Sequence, residues 1–188
     1  GYATAVISKL HVNPEDLYAF DFNSPVNGRN VVAIAKEGRK FIESCEGRPF
    51  YLHVGYTDPH RDFGIKEKFP GAKAITYSPD KVHVPAWLPD IPQVRTELTQ
   101  YYQAISRLDQ GVGMMMDVLK STGRDRDTIV VYIGDNGAPF PGAKTTLYDP
   151  GIHLPLIVRS PFRTKRGLVN NAMVNWADLV PTILEWTG

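Results

Sequence analysis

The chain has 188 residues, a hydrophobic fraction of 43% and a formal net charge of +1, from 21 Lys and Arg against 20 Asp and Glu. This length suits one domain with a single sizeable core. The balanced charge gives no argument for binding nucleic acid or an anionic membrane, and no apolar stretch approaches the roughly 20 residues that span a bilayer. Cys45 is the only cysteine in the sequence, which excludes an internal disulfide and a cysteine-based zinc cluster.

The first half of the chain is predicted to form a strand, a helix and a second strand. Ala3 to Ile7 is a run of small and β-branched residues, which is typical of a buried strand. No Met precedes it, so we expect the chain to be a piece of a longer protein. Apolar residues from Val31 to Ser44 then follow the helical period. The apolar run Phe50 to Tyr56 predicts the second strand, which ends at Thr57-Asp58-Pro59-His60.

The second half continues the alternation after a long irregular segment. Phe63 to Pro92 contains five prolines, and an irregular loop of that length inside a domain is often functional. Leu98 to Leu119 follows the helical period for several turns. Thr128 to Ile133 and Leu154 to Val158 are predicted strands, and Asn175 to Trp186 is a predicted amphipathic helix. Apolar strands that alternate with helices predict an α/β sandwich with a largely parallel central sheet.

Polar residues follow three of the predicted strands at the point where each strand ends. In an open α/β sheet, ligands bind outside the carboxyl ends of the strands, so these residues are expected to meet at one edge. They are Lys9 and His11 after the first strand, Asp58 and His60 after the second, and Asp135 and Asn136 after the strand that ends at Ile133.

The pair Asp135-Asn136 offers one carboxylate and one amide oxygen, followed by the flexible Gly137. Hard oxygen donors suit Ca²⁺ or Mg²⁺ better than zinc. Taken alone, the tripeptide is more often a surface turn than a metal site. Two ligands cannot complete a calcium shell of roughly six to eight oxygens, so further ligands are expected outside this chain. Lys144 stands a short way on, behind two prolines that would pre-position its charge for an anionic ligand.

Three further side chains are candidates for acid–base or anion-binding roles, and each has a simpler alternative. Lys9 and His11 point to the same side of an extended segment, where they could bind an anion and shuttle a proton. Alternatively, Lys9 extends along apolar surface beside a capped histidine. His60 could act as a general acid or base, oriented by Asp58 and next to the fixed cation Arg61, or could be a loop histidine that bonds to the backbone.

Five segments, in chain order, resemble the middle part of the sulfatases of the alkaline-phosphatase superfamily. They are SKLHV, YTDPHR, YYQAISRLDQGVGMMMDVL, TIVVYIGDNGAPFPGAKTTLYDPG and ADLVPTILEW, and they span nearly the whole chain. The segments Asp-Pro-His-Arg and Asp-Asn-Gly-x-Pro-Phe-Pro are most similar to the sulfamidase branch, also called heparan N-sulfatases. The resemblance implies the alkaline-phosphatase-like α/β fold.

The resemblance also implies roles for the residues at the strand ends. Asp135 and Asn136 would be ligands of an active-site Ca²⁺, with Mg²⁺ the less favoured ion. Lys9 and His11 would contact the sulfate and the nucleophile, and Lys144 would neutralise a sulfate oxygen. Sulfamidases carry arginine at the last position, whereas many other sulfatases carry lysine.

The Asp-Pro-His-Arg segment would supply the groups that meet the substrate. By the resemblance, His60 would hold the sulfate and help to protonate the leaving group, with Asp58 and Arg61 as substrate-binding residues. Two family motifs have no counterpart here: an Asp-Asp metal-binding pair, and a Cys- or Ser-x-Pro-Ser-Arg motif whose first residue becomes the formylglycine nucleophile. Cys45 is followed by Glu46-Gly47-Arg48 and cannot take that role.

Residues 1–188 are therefore expected to be the middle of a sulfatase catalytic domain, without its N-terminal part and C-terminal subdomain, and to be inactive alone. The intact protein would cleave N-linked sulfate from the glucosamine of heparan-type glycans. The alternatives are a phosphate or phosphonate ester hydrolase of the same superfamily, or a non-catalytic glycan-binding homologue. The expected partner is a sulfated sugar or glycosaminoglycan, with no nucleic acid and no membrane span. The expected location is outside the cytosol, in a periplasm or secreted rather than in a lysosome, and the oligomeric state is left open.

Overall fold

The computed structural model describes residues 1–188 apart from the side chain of Glu15. Five strands fall into two sheets, and helices pack against the first of them. The strands are β1 (Ala3–Ser8), β2 (Phe22–Ser24), β3 (Phe50–Gly55), β4 (Val130–Ile133) and β5 (Leu156–Arg159). The helices are α1 (Val31–Ser44), α2 (Pro92–Ser121), the one-turn α3 (Asp149–Ile152) and α4 (Leu179–Thr187).

The first sheet is parallel and has the order β2-β1-β3. Its central strand, β1, is the most buried, with Val6 and Ile7 fully inaccessible to solvent. Pairing of Ala3 with Phe50 through Ser8 with Gly55 sets the ends of β1 and β3 side by side. The predicted strands at Ala3 and Phe50 are therefore confirmed, and they are parallel as expected.

Helices α1 and α2 pack against each other, and α1 also packs on β1. Helix α1 begins where the side chain of Asn30 accepts a hydrogen bond of 3.1 Å from the peptide N–H of Ala33, which caps the helix. Gly38 lies at the crossing, because a Cβ there would come within 2.8 Å of the Met115 sulfur. The absence of a side chain at Gly38 therefore leaves room on α1 for the end of the Met115 side chain of α2.

The second sheet differs from the sequence-based expectation. Strands β4 and β5 pair with each other, are antiparallel, and are not hydrogen-bonded to the first sheet. Several apolar side chains of this part of the fold are exposed, including Ile157 at 61%, Val180 at 66% and Leu184 at 64%. The prediction of a parallel sheet flanked by helices is confirmed for β1 to β3, whereas β4 and β5 form a separate two-stranded antiparallel sheet.

Helix α2 forms the platform for the long irregular segment between Phe63 and Pro92. It begins at Pro92, six residues before the predicted start, because proline is well suited to the first helical position. The hydroxyl of Tyr102 donates to the carbonyl of His83 at 2.9 Å. The side-chain amide of Gln110 accepts a hydrogen bond from the peptide N–H of Lys73 and donates one to its carbonyl. Among the described helices, none combines the length and hydrophobicity that crossing a bilayer requires.

Candidate active site

The carboxyl ends of β1, β3 and β4 come together at one edge of the fold. The peptide N–H of Lys9 donates to the carbonyl of Gly55 at 3.1 Å, which joins the ends of β1 and β3. The ammonium of Lys9 lies 4.0 Å from a carboxylate oxygen of Asp135, which follows β4. The expected meeting of the strand-end side chains is therefore seen for Lys9 and Asp135. His11 is exposed, two residues beyond Lys9.

His60 is exposed on a loop that its own backbone closes. Residues 57–64 form this loop, here called the His60 loop. Within it, the peptide N–H of His60 donates to the carbonyl of Thr57 at 2.9 Å. The ring Nδ1 forms a short hydrogen bond with the carbonyl of Arg61. Because a carbonyl only accepts, Nδ1 carries the proton, and Nε2 is the nitrogen left for a substrate. The orienting group is this carbonyl and not the Asp58 carboxylate that sequence reasoning assigned to it.

Asp58 is turned into the protein, with 1% of its side chain exposed. One carboxylate oxygen accepts from Arg107 Nε at 2.6 Å, and the other accepts from Arg107 Nη2 at 2.9 Å and Arg29 Nε at 3.1 Å. Burial raises the pKa of the Asp58 carboxyl, and the hydrogen bonds and charges of the two arginines oppose that shift. The expectation that Asp58 binds substrate is not supported by this position, because its oxygens are occupied and lie beneath the surface.

The two arginines that hold Asp58 also hold the His60 loop. Arg29 Nη2 donates to the carbonyl of His60 at 3.1 Å, and Arg107 Nη2 donates to the carbonyl of Phe63 at 2.8 Å. Sequence reasoning missed both residues. A signal did exist for Arg107, since it lies one turn from the buried Ala104 and Gly111 and is therefore a charge on the buried face of α2.

Arg61 is engaged with protein groups on two sides. Its Nε donates to the carbonyl of Pro139 at 2.8 Å, and its Nη2 and Nη1 donate to the two carboxylate oxygens of Glu97 at 2.7 and 3.3 Å. This forked pairing neutralises the guanidinium charge. The predicted substrate-binding role of Arg61 would require breaking this pair.

Residues 135–146, here called the Lys144 loop, curl back on themselves. The peptide N–H of Lys144 donates to the carbonyl of Ala138 at 3.1 Å, and that of Ala143 donates to Phe140 at 3.2 Å. Gly137 has no room for a side chain, because a Cβ there would lie 2.4 Å from the Pro150 carbonyl. The loop therefore brings the backbone of the half-buried Lys144 back to Ala138, three residues after Asp135.

Asp135 and Asn136 fit one part of a cation site. The Asp135 carboxylate is 77% exposed, and the Asn136 amide N–H donates to the carbonyl of Gly137 at 2.9 Å, which leaves its oxygen for another ligand. Within the described residues, no group of three or more His, Cys, Asp or Glu side chains is placed to hold a metal ion. The pair could supply two oxygens of a larger shell, and its metal-binding role stays a prediction.

The parallel sheet with helices packed on it agrees with the alkaline-phosphatase-like α/β fold that the sequence resemblance implies. Lys9 follows β1 of that sheet, and Asp135 and Asn136 follow β4 beside it. The family model for sulfatases matches residues 1–188, the whole of the chain. The chain belongs to the sulfatase family.

Curated relatives and solved structures are similar over parts of their length. The chain is 40% identical, over an alignment of 211 positions, to human N-sulphoglucosamine sulphohydrolase, covering 99% of the chain and 42% of that enzyme. It is 30% identical over 108 residues to an ulvan-active sulfatase of Formosa agariphila, covering 57% of the chain and 18% of that protein. The chain thus spans less than half the length of these relatives.

Among solved structures, similarity supports the fold. One structure comes from work on the metabolism of multiple glycosaminoglycans by Bacteroides thetaiotaomicron. It has a TM-score of 0.71 at 17% identity, covering 98% of this chain and 50% of that one. A Bacteroides fragilis structure has a TM-score of 0.64 at 24% identity, covering 86% of this chain and 37% of that one.

Proposed function

We propose that the whole protein hydrolyses the N-linked sulfate of glucosamine at the ends of heparan-type glycans. The observation that carries this proposal is the 40% identity to human N-sulphoglucosamine sulphohydrolase across 99% of the chain. The placement of Lys9 beside Asp135, at the edge where the ends of β1, β3 and β4 meet, supports it. These residues would form one wall of an anion-cleaving site, and the rest of the site would come from other parts of the protein.

The reaction at neutral pH consumes one sulfamate and one water molecule, and it yields a protonated amine and sulfate. An S–O bond forms, the S–N bond breaks, and the departing nitrogen takes up protons. A formylglycine outside this chain would supply the nucleophile. Asp135 and Asn136 would hold a Ca²⁺ ion, whose charge would favour binding of the sulfuryl oxygens.

Lys9 and Lys144 would bind the anionic group from two sides. The transferred group stays anionic while the S–O bond forms and the S–N bond breaks, so cations fixed where its sulfuryl oxygens lie in the transition state stabilise that state. The backbone bond from Lys144 to Ala138 fixes the point from which this side chain extends. His11, two residues beyond Lys9, would contact the nucleophile.

His60 would give the leaving nitrogen its proton. The hydrogen bond from Nδ1 to the Arg61 carbonyl fixes the ring and reserves Nε2 for the substrate. A protonated imidazole would transfer its Nε2 proton to the amine as the S–N bond breaks. The exposure of His60 at the loop surface leaves it accessible for this contact.

A substrate panel tests the proposal. The full-length protein would be assayed with N-sulfoglucosamine, an O-sulfated glucosamine and a phosphate monoester, and the released sulfate and phosphate would be quantified separately. The proposal predicts the largest kcat/KM for the sulfamate. Phosphate release without any sulfate release would refute it.

Phosphate or phosphonate ester hydrolysis is the second candidate. The chain is 23% identical over 185 residues to a multifunctional alkaline phosphatase superfamily protein of Trinickia caryophylli, covering 79% of the chain and 36% of that protein. A tetrahedral phosphoryl group could meet the same cations and oxygen ligands. The same panel separates the two reactions.

A non-catalytic glycan-binding protein is the candidate of another class. It would keep Lys9 and Lys144 for binding but would lack the nucleophile, so the rest of the protein's sequence decides. A Cys- or Ser-x-Pro-Ser-Arg motif supports hydrolysis, and its absence supports binding.

A glycosaminoglycan substrate also favours a location outside the cytosol, which fractionation of the native host would test.

A further inference from the structure

The His60 loop and the Lys144 loop meet along one seam. The ring of Phe63, in the first loop, stacks on the ring of Phe140, in the second, at 6.3 Å between centroids and an interplanar angle of 23°. Tyr101 of α2 packs edge-on against both rings, at 5.9 and 5.4 Å. Phe63 and Phe140 are 3% and 5% exposed. The seam therefore joins, through apolar contact, the loop of a proposed proton donor and the loop of a proposed anion-binding lysine.

Arg61 crosses this seam on its outer side. Its backbone belongs to the His60 loop, where its carbonyl holds the His60 ring. Its guanidinium reaches the Pro139 carbonyl in the Lys144 loop and lies 5.6 Å from the Phe63 centroid and 5.3 Å from the Phe140 centroid. A single residue thus contacts the imidazole through its main chain and the opposite loop through its side chain.

Glu97 fixes the direction of that guanidinium. It lies on α2, one turn before Tyr101, and its two carboxylate oxygens accept from Arg61 Nη1 and Nη2. A forked pair of this kind restricts the rotation of the guanidinium plane, which a single contact would not do. Helix α2 therefore supports the seam with an aromatic ring and with a carboxylate.

We propose that Arg61 and Glu97 are positioning residues that clamp the His60 loop to the Lys144 loop, and so fix the proton donor relative to the anion-binding lysine. This inference rests on the proposed function of that site. It assigns Arg61 to loop alignment instead of substrate binding, because Glu97 already occupies its two terminal nitrogens. Since misplacing a catalytic group by about 1 Å can cost roughly 100-fold in rate, clamping of this kind acts on turnover more than on substrate affinity.

The test uses Arg61→Lys, Glu97→Gln and the double variant of the full-length protein, with Asp90→Asn as the matched control. The control breaks another forked arginine pair, Asp90 with Arg95 near the start of α2, that touches neither loop. Two readouts are measured. One is kcat and KM for sulfate release, and the other is hydrogen exchange of the Ala143 and Lys144 amides, which does not depend on any activity.

The clamp predicts that each single variant lowers kcat by about 10- to 100-fold with little change in KM, and that the double variant is no worse than the poorer single one. Exchange of the Ala143 and Lys144 amides should accelerate in all three, and the control should match the parent in both readouts. If Arg61→Lys raises KM while Glu97→Gln changes neither rate nor exchange, Arg61 binds substrate and the clamp is refuted. If the parent releases no sulfate, the proposed function fails. The clamp is then tested by amide exchange alone, and unchanged exchange of Ala143 and Lys144 in the variants refutes it.

Discussion

Replacing Arg107 with Ala is expected to destabilise the protein strongly. The side chain is 14% exposed and contributes two of the three arginine hydrogen bonds to Asp58, whose own side chain is 1% exposed. It also donates to the Phe63 carbonyl. Without it, the Asp58 carboxylate stays buried with Arg29 as its remaining ionic partner.

The magnitude follows from the cost of leaving a buried charge poorly compensated. Breaking a buried ion pair by removing one partner costs about 3–5 kcal/mol. In a unit of 150–250 residues this corresponds to a fall in Tm of roughly 6–20 °C, and to a smaller fall in a longer chain. The double variant Asp58→Ala/Arg107→Ala should cost less than the sum of its single variants, because removing both groups leaves less uncompensated charge.

Differential scanning calorimetry of the full-length protein measures the effect. Arg39→Ala is the matched control, since it removes a guanidinium that is 42% exposed, pairs with Glu43 one helical turn away and donates to the Ser121 hydroxyl. Exposed pairs of this type are worth about 0.3–0.5 kcal/mol. If Arg107→Ala lowers Tm no more than Arg39→Ala does, the reasoning about the buried Asp58 network is wrong.

Two further predictions concern the strand ends, and a third concerns His53 within β3. His60→Ala should lower kcat by about 10²- to 10⁴-fold with little change in Tm, because the side chain is exposed, and His83→Ala is the control. A large loss of Tm with normal activity per folded molecule would show a structural role instead. Asp135→Ala should abolish calcium binding measured by titration calorimetry, with Asp80→Ala as the exposed control, and unchanged affinity would remove the metal assignment. Burial lowers the pKa of His53 in the folded protein. As the pH falls below about 6.5, His53 is therefore protonated in the unfolded chain before it is protonated in the folded one, and the free energy of unfolding decreases. His53→Gln should reduce the loss of Tm between pH 7.5 and 5.5, and an unchanged loss would contradict this reading.

The positions of the helices and main strands were predictable because they depend on local pattern. Helix α1 has the bounds that the apolar spacing gave, and β1 extends one residue past the predicted run. Strand β2 was missed, since Phe22–Ser24 is three residues long and is defined by its pairing with β1 and not by any period of its own. The antiparallel direction of β5 was missed for a similar reason, because an apolar run carries no information on which way its neighbour points.

The site was predictable where it depends on strand ends, and not where it depends on distant partners. Lys9 and Asp135 were expected to meet because both follow strands, and they do. The role of Asp58 could not be read from its neighbours in sequence, because Arg29 and Arg107 lie 29 and 49 residues away. The pairing of Arg61 with Glu97 is equally non-local. Such contacts are set by the packing of α2 under the His60 loop, which no single segment encodes.

Sulfate release from N-sulfoglucosamine, compared between the full-length protein and its Lys144→Ala variant, tests whether hydrolysis takes place at this site. If this chain supplies one wall of an anion-cleaving site, the parent should release sulfate and glucosamine in equal amounts. The variant should be slower by about 100-fold or more, as expected when a group that stabilises transition-state charge is removed. Equal rates for the two proteins, or no sulfate release by the parent, would contradict the proposed role of this site.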